Sequence, residues 1–264
     1  MLIAAHLDHL TLAGYRPRTI AERRKILRHL ARFLAPVPIE QATRHQLQAF
    51  LARPLAPESR RAYRGHLTGF YEWLCAEGAV AVSPAEGLPT IRVPRAVPRP
   101  VPEADVTLAL RLAPPRMHAW LLLMALAGLR ACEVSGLRPE DLLVLDGNAL
   151  LFVREGKGGA QSTVPAHTLI VDALAHLPQS GGRWWTCSAS QVSREVSLYL
   201  TSVGVRATGH QLRHSAATSW YRASGHDLLT TSRLLRHQSV SSTQVYAQID
   251  PTRPAEVVRR VTLA

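Results

Sequence analysis

His210, Arg213 and His214 stand in the stretch HQLRH, three and four residues from the first histidine. On a helix that spacing brings all three near one face. Imidazoles and a guanidinium so placed suit a solvated helix surface, a metal site, or a grip on one phosphate. A histidine pair four residues apart can bind zinc. Here no glutamate stands between them as in HExxH, and no third ligand is evident in the sequence. His237 follows SRLLR at a helix end, and Tyr246 comes nine residues later in SSTQVYAQID. A tyrosine in such a place ordinarily fills an amphipathic core.

Two further polar groups stand apart from this cluster. Arg130 follows the apolar run LLLMALAGL, so the chain leaves a helix and at once presents a guanidinium. Glu133 follows three residues later and can orient it or form a local ion pair. Lys157 sits among glycines in GKGG, at the tip of an expected hairpin. Solubility explains a turn lysine; so does close approach to DNA, because the glycines let a backbone come near and let the lysine swing into a groove.

The elements that must position these groups are mostly helical. LIAAHLDHL places Leu2, Ile3, His6, Leu7 and Leu10 on one side. RTIAERRKILRHLARFL predicts a helix capped by Thr19 with Glu22, with Ile20, Leu27, Leu30 and Leu34 in its buried stripe. TRHQLQAFL starts a helix at Thr43, and PESRRAYRGHLTGFYEWLCAEG turns Leu67, Phe70, Tyr71 and Leu74 inward, with Gly78 near its end. Residues 89–102, PTIRVPRAVPRPVP, hold five prolines and read as an extended, semi-stiff basic connector. Beyond it come helices in EADVTLALRLA and PRMHAWLLLMALAGLRACEVSGL. Strand signals follow in LLVLDGNALLFVREGKGGAQSTVPA, with turns at Asp146-Gly147-Asn148 and at Gly156–Gly159. Helices return with TLIVDALAHL and run to the end. The expected class is therefore mainly α with a small antiparallel β-sheet (α+β): a helical domain over 1–88, a linker over 89–102 and a second domain over 103–264.

The formal net charge is +12, and lysine is confined to Lys25 and Lys157, so arginine supplies nearly all the excess. Such a balance points to a polyanionic partner, nucleic acid before an anionic membrane. Arg23, Arg24, Lys25, Arg28, Arg60, Arg61 and Arg64 lie outside the apolar stripes of two helices, and Arg92, Arg95 and Arg99 make the linker positive. They form either a DNA-binding face or solvated helix surface. Cys75, Cys132 and Cys187 are isolated and odd in number, which suggests neither a disulfide framework nor a zinc knuckle. The longest apolar run, WLLLMALAGL, is too short to span a bilayer. A cytoplasmic protein without membrane, metal or cofactor is expected.

Taken together, AGLRACEVSGL, GKGG, HQLRHSAAT and LLRHQSVSSTQVY resemble the successive motifs of the tyrosine recombinases, or phage integrases, in order and spacing. The likeness extends through the helical N-terminal part, the linker and SPAEGL (83–88), which resembles the end of that family's core-binding domain. The resemblance implies that Tyr246 is the nucleophile, that Arg130, Arg213 and His210 hold the scissile phosphate, that His237 is a further donor, and that Lys157 is the general acid for the leaving 5′ oxygen. Glu133 would support the pocket, and His214 would be structural. It further implies a site-specific DNA recombinase working through a 3′-phosphotyrosine and a Holliday junction. The partners would be double-stranded DNA with core-type sites, a homotetramer on DNA that is a monomer when free, and a DNA-bending or directionality factor. A phage or mobile-element integrase fits best, located in the host cytoplasm or nucleoid. The chain begins almost directly with the core-binding helices, as in compact members without an arm-binding domain. PTRPAEVVRRVTLA resembles a C-terminal helix that docks on a neighbouring subunit or on its own domain, through Val257, Val258 and Val261.

The chemistry agrees with that assignment. Phosphodiester displacement needs an in-line oxygen nucleophile, donors for the non-bridging oxygens and a proton for the departing oxygen. Two readings stand beside strand exchange: a type IB topoisomerase-like or telomere-resolvase-like enzyme, and a DNA-binding regulator with a silent site. Arg236 departs from the family pattern, which has glycine before the histidine of the LGH motif; Cys132 stands where serine is commoner.

Overall fold

The computed structural model describes residues 1–93, 99–154, 161–236 and 243–247. The chain divides into two compact units, Met1–Arg95 and Ala96–Ala264.

The first unit is helical. Helix α1 (Leu2–Leu12) buries His6, Leu7 and Leu10, as its spacing predicts. Helix α2 (Pro17–Leu34) starts a turn earlier than expected. Pro17 occupies its first position, where a fixed φ and a missing N–H cost nothing. The expected Thr19–Glu22 cap is therefore absent: Thr19 lies inside the first turn, and the N-cap is Arg16, with no capping side-chain bond. The stripe Ile20, Leu27, Leu30 and Leu34 is buried, joined by Ile26. Helix α3 (Arg44–Ala52) begins at Thr43 with a reciprocal cap, Thr43 Oγ1 accepting from Gln46 N–H and Gln46 Oε1 accepting from Thr43 N–H. Helix α4 (Pro57–Ala76) contributes Leu67, Phe70, Tyr71 and Leu74 to a core shared with α2 and α3. The Tyr71 hydroxyl donates to the carbonyl of Ile39 at 2.7 Å, so this buried phenol spends its polar end on backbone.

The second unit is built on helix α6 (Pro115–Ala125), in which every residue from Ala119 to Ala125 is buried. A helix apolar on all sides belongs at the centre of a domain. Helices α5 (Glu103–Leu112), α8 (Thr168–Ala175), α9 (Ala189–Ser202) and α10 (Gly209–Ala223) contribute residues to the same core or pack at its margin. After α6 the chain makes a non-helical turn and enters the short helix α7 (Ala131–Gly136). Strands β1 (Leu142–Leu145), β2 (Asn148–Val153) and β3 (Ser162–Pro165) form an antiparallel sheet in the order β1-β2-β3. Leu145 pairs with Asn148 across Asp146 and Gly147, both with positive φ, which is the tight hairpin turn expected there. The second expected turn, at Gly156–Gly159, lies outside the described residues. Helix α11 (Leu228–Leu235) and the single turn α12 (Gln244–Ala247) complete the described part. The architecture is mainly α with one small antiparallel sheet. Among the described residues, no helix is long and apolar enough to cross a membrane.

Candidate active site

Helix α10 carries three of the polar groups. Its start is fixed by Gln211, whose Oε1 accepts from the N–H of Thr208 at 3.1 Å. Arg213, one turn in, is only 3% exposed. Its Nη1 donates to the carbonyl of Gly128 and its Nη2 to the carbonyl of Leu235. One guanidinium thus ties the end of α11 to the turn after α6. Burial, reinforced by Arg130, pulls its pKa down to about 9, against the opposing pull of Glu133. It stays charged at neutral pH.

Arg130 is delivered by that same turn. Gly128 adopts φ +59, and a Cβ there would lie 2.7 Å from the ring of Trp220, so both conformation and space call for glycine. Two residues on, the N–H of Arg130 donates to Glu133 Oε2 at 2.8 Å and its Nη1 donates to Glu133 Oε1 at 2.8 Å. Glu133, at the third position of α7, thus caps the helix and orients the arginine in one stroke. The Glu133 side chain is 1% exposed, whereas Arg130 keeps 25% of its side chain open.

A third guanidinium reaches the same carboxylate. Arg236 follows α11 in the left-handed region (φ 55, ψ 43) and places its Nη2 2.8 Å from Glu133 Oε2. Arg213 Nη1 is 3.9 Å from that oxygen. Burial alone would raise the Glu133 pKa; Arg236, the backbone N–H of Arg130, and the Arg130 and Arg213 charges overcome it and hold the carboxyl below its usual range. The left-handed backbone explains why glycine is the easy residue before the family's histidine. Arg236 accommodates it, and its side chain turns inward rather than to solvent.

The histidines flank Arg213 on α10, His210 in its first turn and His214 directly after the arginine. The rings of His210 and His214 meet edge to face, with centroids 4.5 Å apart. His214 Nδ1 lies 2.8 Å from the Tyr246 hydroxyl. With the imidazole proton on Nε2, the phenol is the donor. Burial, then His210 and Arg213, pull the His214 pKa down to about 4, so the ring is neutral at ordinary pH. Partial burial, Arg213 and Arg130 likewise lower that of His210, which keeps part of its surface in solvent. Tyr246, on α12, is 3% exposed and packs against Ala217 and Leu235. Burial raises its pKa while Arg213 and Arg130 pull it back.

The second unit therefore gathers Arg130, His210, Arg213 and Tyr246, with Glu133 beneath. Lys157 and His237 lie outside the described residues, as do Arg95 and the expected C-terminal helix. Two contacts were not foreseen: Arg236 with Glu133, and His214 with Tyr246. Only the second left a sequence signal, the four-residue spacing that puts His214 on the face of His210. Among the described residues, no group of three His, Cys, Asp or Glu side chains could hold a metal ion.

In the first unit the expected basic face divides. Arg24, Lys25, Arg28 and Arg61 are exposed, as are Arg92 and, in the second unit, Arg99. Arg60 and Arg64 instead spend donors on the backbone: Arg60 Nε on the Leu51 carbonyl at 2.9 Å, Arg64 Nη2 on that of Leu88 at 3.0 Å. Arg23 lies between imidazoles, with His66 Nδ1 and His6 Nε2 each 3.2 Å away.

Residues 108–253 match the model of the phage integrase family. The chain belongs to that family of tyrosine recombinases. It is 32% identical over 230 residues to tyrosine recombinase XerC of Xylella fastidiosa (strain M23), spanning 78% of this chain and 76% of that protein. It is also 32% identical over 242 residues to XerC of Xanthomonas campestris pv. campestris (strain B100), spanning 83% and 74%. Among solved structures, the integrase from mycobacterium phage Brujita is 28% identical, with TM-score 0.50, over 98% of this chain and 92% of that one. A lambda integrase dimer bound to a COC′ core site shares the fold, with TM-score 0.75 at 17% identity, over 91% of this chain and 95% of that one. This recombinase is thus an enzyme of site-specific DNA recombination, and its polar cluster lies in the part that the family model matches.

Proposed function

We propose that the recombinase cuts and rejoins double-stranded DNA at core-type sites through a 3′-phosphotyrosine on Tyr246. The observation that carries this reading is the closeness of Tyr246 to His214 on the helix that also bears His210 and Arg213. A buried phenol needs a hydrogen-bond partner; here the partner is an imidazole beside Arg213 rather than the backbone carbonyl that serves Tyr71. In the proposed step, the Tyr246 phenol gives its proton to the neighbouring His214 Nδ1, its oxygen attacks phosphorus in line, and the bond to the 5′ oxygen breaks. Arg130, Arg213 and His210 hold the non-bridging oxygens, with His237 as a further donor. Lys157 gives its proton to the leaving 5′ oxygen. The phosphotyrosine keeps the energy of the cut strand, so a second DNA hydroxyl reseals it without ATP.

The helical domain (1–88) and the basic linker (89–102) would grip the duplex, leaving chemistry to residues 103–264. Arg24, Lys25, Arg28, Arg61, Arg92 and Arg99 are the exposed cations that suit this, since arginine forks match phosphate oxygens. Structural relatives captured as a dimer on a core site and as a tetramer on a Holliday junction support exchange by a homotetramer on two duplexes. We assign the enzyme to a phage or other mobile element, acting in the cytoplasm, with a DNA-bending or directionality factor as a further partner.

The deciding experiment incubates the protein with a nicked duplex of its site. A covalent protein–DNA complex forms with the wild type and is lost in Tyr246→Phe. Recombinant products from two sites, rather than relaxed plasmid alone, separate strand exchange from a topoisomerase-like reaction. Failure to form the complex on any cognate site refutes the reading.

A further inference from the structure

The charge around Glu133 does not balance. Three guanidiniums converge on one carboxylate: Arg130 Nη1 on Oε1 at 2.8 Å, Arg236 Nη2 on Oε2 at 2.8 Å, and Arg213 Nη1 3.9 Å from Oε2. His210 and His214 add no charge in their neutral forms. One negative charge against three positive leaves two unmatched, in a place mostly shielded from water. Desolvating cations without counter-charge is costly, so such a cluster is built for an anion that arrives later.

Arg236 is the member that nothing else explains. Its side chain is nine-tenths buried, and its Nε and Nη1 are buried with no hydrogen-bond partner among the described residues. Its backbone takes a left-handed conformation that disfavours a side chain relative to glycine. A residue kept only to end α11 would gain from being glycine. A residue kept for solubility would point outward. Arg236 instead runs inward to Glu133 Oε2, while the partly open Arg130 side chain holds Oε1.

The geometry assigns Arg236 as a positioning residue of the phosphate pocket. It holds Oε2 of Glu133, so Oε1 stays aligned on Arg130 and the remaining N–H groups of Arg130 face outward. It also adds a third fixed positive charge beneath the scissile phosphate. A diester carries one negative charge at rest and approaches two in the pentacoordinate transition state. An extra buried cation therefore favours the transition state over the ground state, and acts on rate more than on binding. This rests on the reading that the pocket receives the scissile phosphate.

A charge series at position 236 tests it: wild type, Arg236→Lys, Arg236→Gln and Arg236→Gly. Each is measured for single-turnover covalent complex formation at saturating DNA, for Kd on the same duplex, and for thermal midpoint. Glycine suits the left-handed backbone, so Arg236→Gly is expected to fold. The expected order is wild type, then Lys, with Gln and Gly about ten- to a hundred-fold slower than wild type, less than the loss of a preorganised donor that touches the reacting oxygens. Kd should move by less than about threefold, since the effect falls on the transition state. Lys no faster than Gln, or Gly as fast as wild type, overturns the charge role. A wild type that forms no covalent complex overturns the underlying reading of the site, and the role of Arg236 with it.

Discussion

The Tyr246 hydroxyl and His214 Nδ1 lie 2.8 Å apart, joined across 32 residues of chain. A protonated phenol beside a neutral imidazole is a resting state from which a proton can leave the nucleophile. His214→Ala should slow covalent complex formation at pH 7 by about a hundredfold, the usual scale for losing a positioned base, with DNA binding unchanged. With a ring pKa of about 4, the wild-type rate should show no titration of this group above about pH 5.5. A fluorotyrosine of lower phenol pKa at position 246 should recover part of the loss. Equal cleavage by wild type and His214→Ala would make the contact mere packing.

Glu133→Gln keeps shape and removes charge. The three guanidiniums then face one another uncompensated, which should cost about 3 kcal/mol in urea unfolding of the free protein. Added sulfate should restore the variant more than the wild type, because an anion substitutes for the missing carboxylate. The folded pKa of Glu133 lies below 4.5, so its contribution is complete above that pH and fades as pH falls through the folded value.

His6 makes the first unit acid-sensitive. It is 1% exposed, it lies 3.2 Å from Arg23, and its pKa is lowered to about 4 by burial, Arg23 and His9. Between pH 6.5 and 4 the unfolded chain binds a proton that the folded one refuses, so stability falls as pH drops through that window. The loss is on the order of 3 kcal/mol for such a shift. Thermal midpoints measured from pH 7 to 4.5 should decline in the wild type and decline less in His6→Gln.

The basic residues of the first unit should separate by experiment. Arg60→Ala strands the Leu51 carbonyl and should destabilise by about 1–3 kcal/mol. Arg24→Ala and Arg28→Ala should stay within about 0.5 kcal/mol of wild type, yet each should flatten the log–log salt dependence of DNA binding by about one. An unchanged slope in both would remove them from the DNA face.

Legibility in the sequence followed the range of the interactions. The cap at Thr43, the hairpin at Asp146-Gly147 and the stripe of α2 depend on neighbours within a few residues, and pattern alone finds them. The start of α2 went astray because Pro17 at the first helical position competed with a plausible cap at Thr19. The fates of Arg60, Arg64 and Arg23 were not legible: an arginine on a polar face looks the same whether it meets water or a carbonyl 24 residues away. Within the site, residue types and motif order marked Arg130, His210, Arg213 and Tyr246. That Glu133 would gather three arginines depends on how the starts of α7 and α10 and the end of α11 meet in space, which no local pattern specifies.

The turn at Gly128 has a consequence for how this enzyme can vary. Its carbonyl anchors Arg213, and two residues later the same backbone delivers Arg130. The gap between the two arginines is thus set like the jaws of a caliper, by one short stretch of backbone and the hydrogen bonds that Arg213 makes to it and Arg130 makes to Glu133. Insertion or deletion between positions 128 and 130 would reset that gap, and no compensating side chain elsewhere could restore it. A change of length in this span is therefore expected to cost cleavage on any DNA sequence.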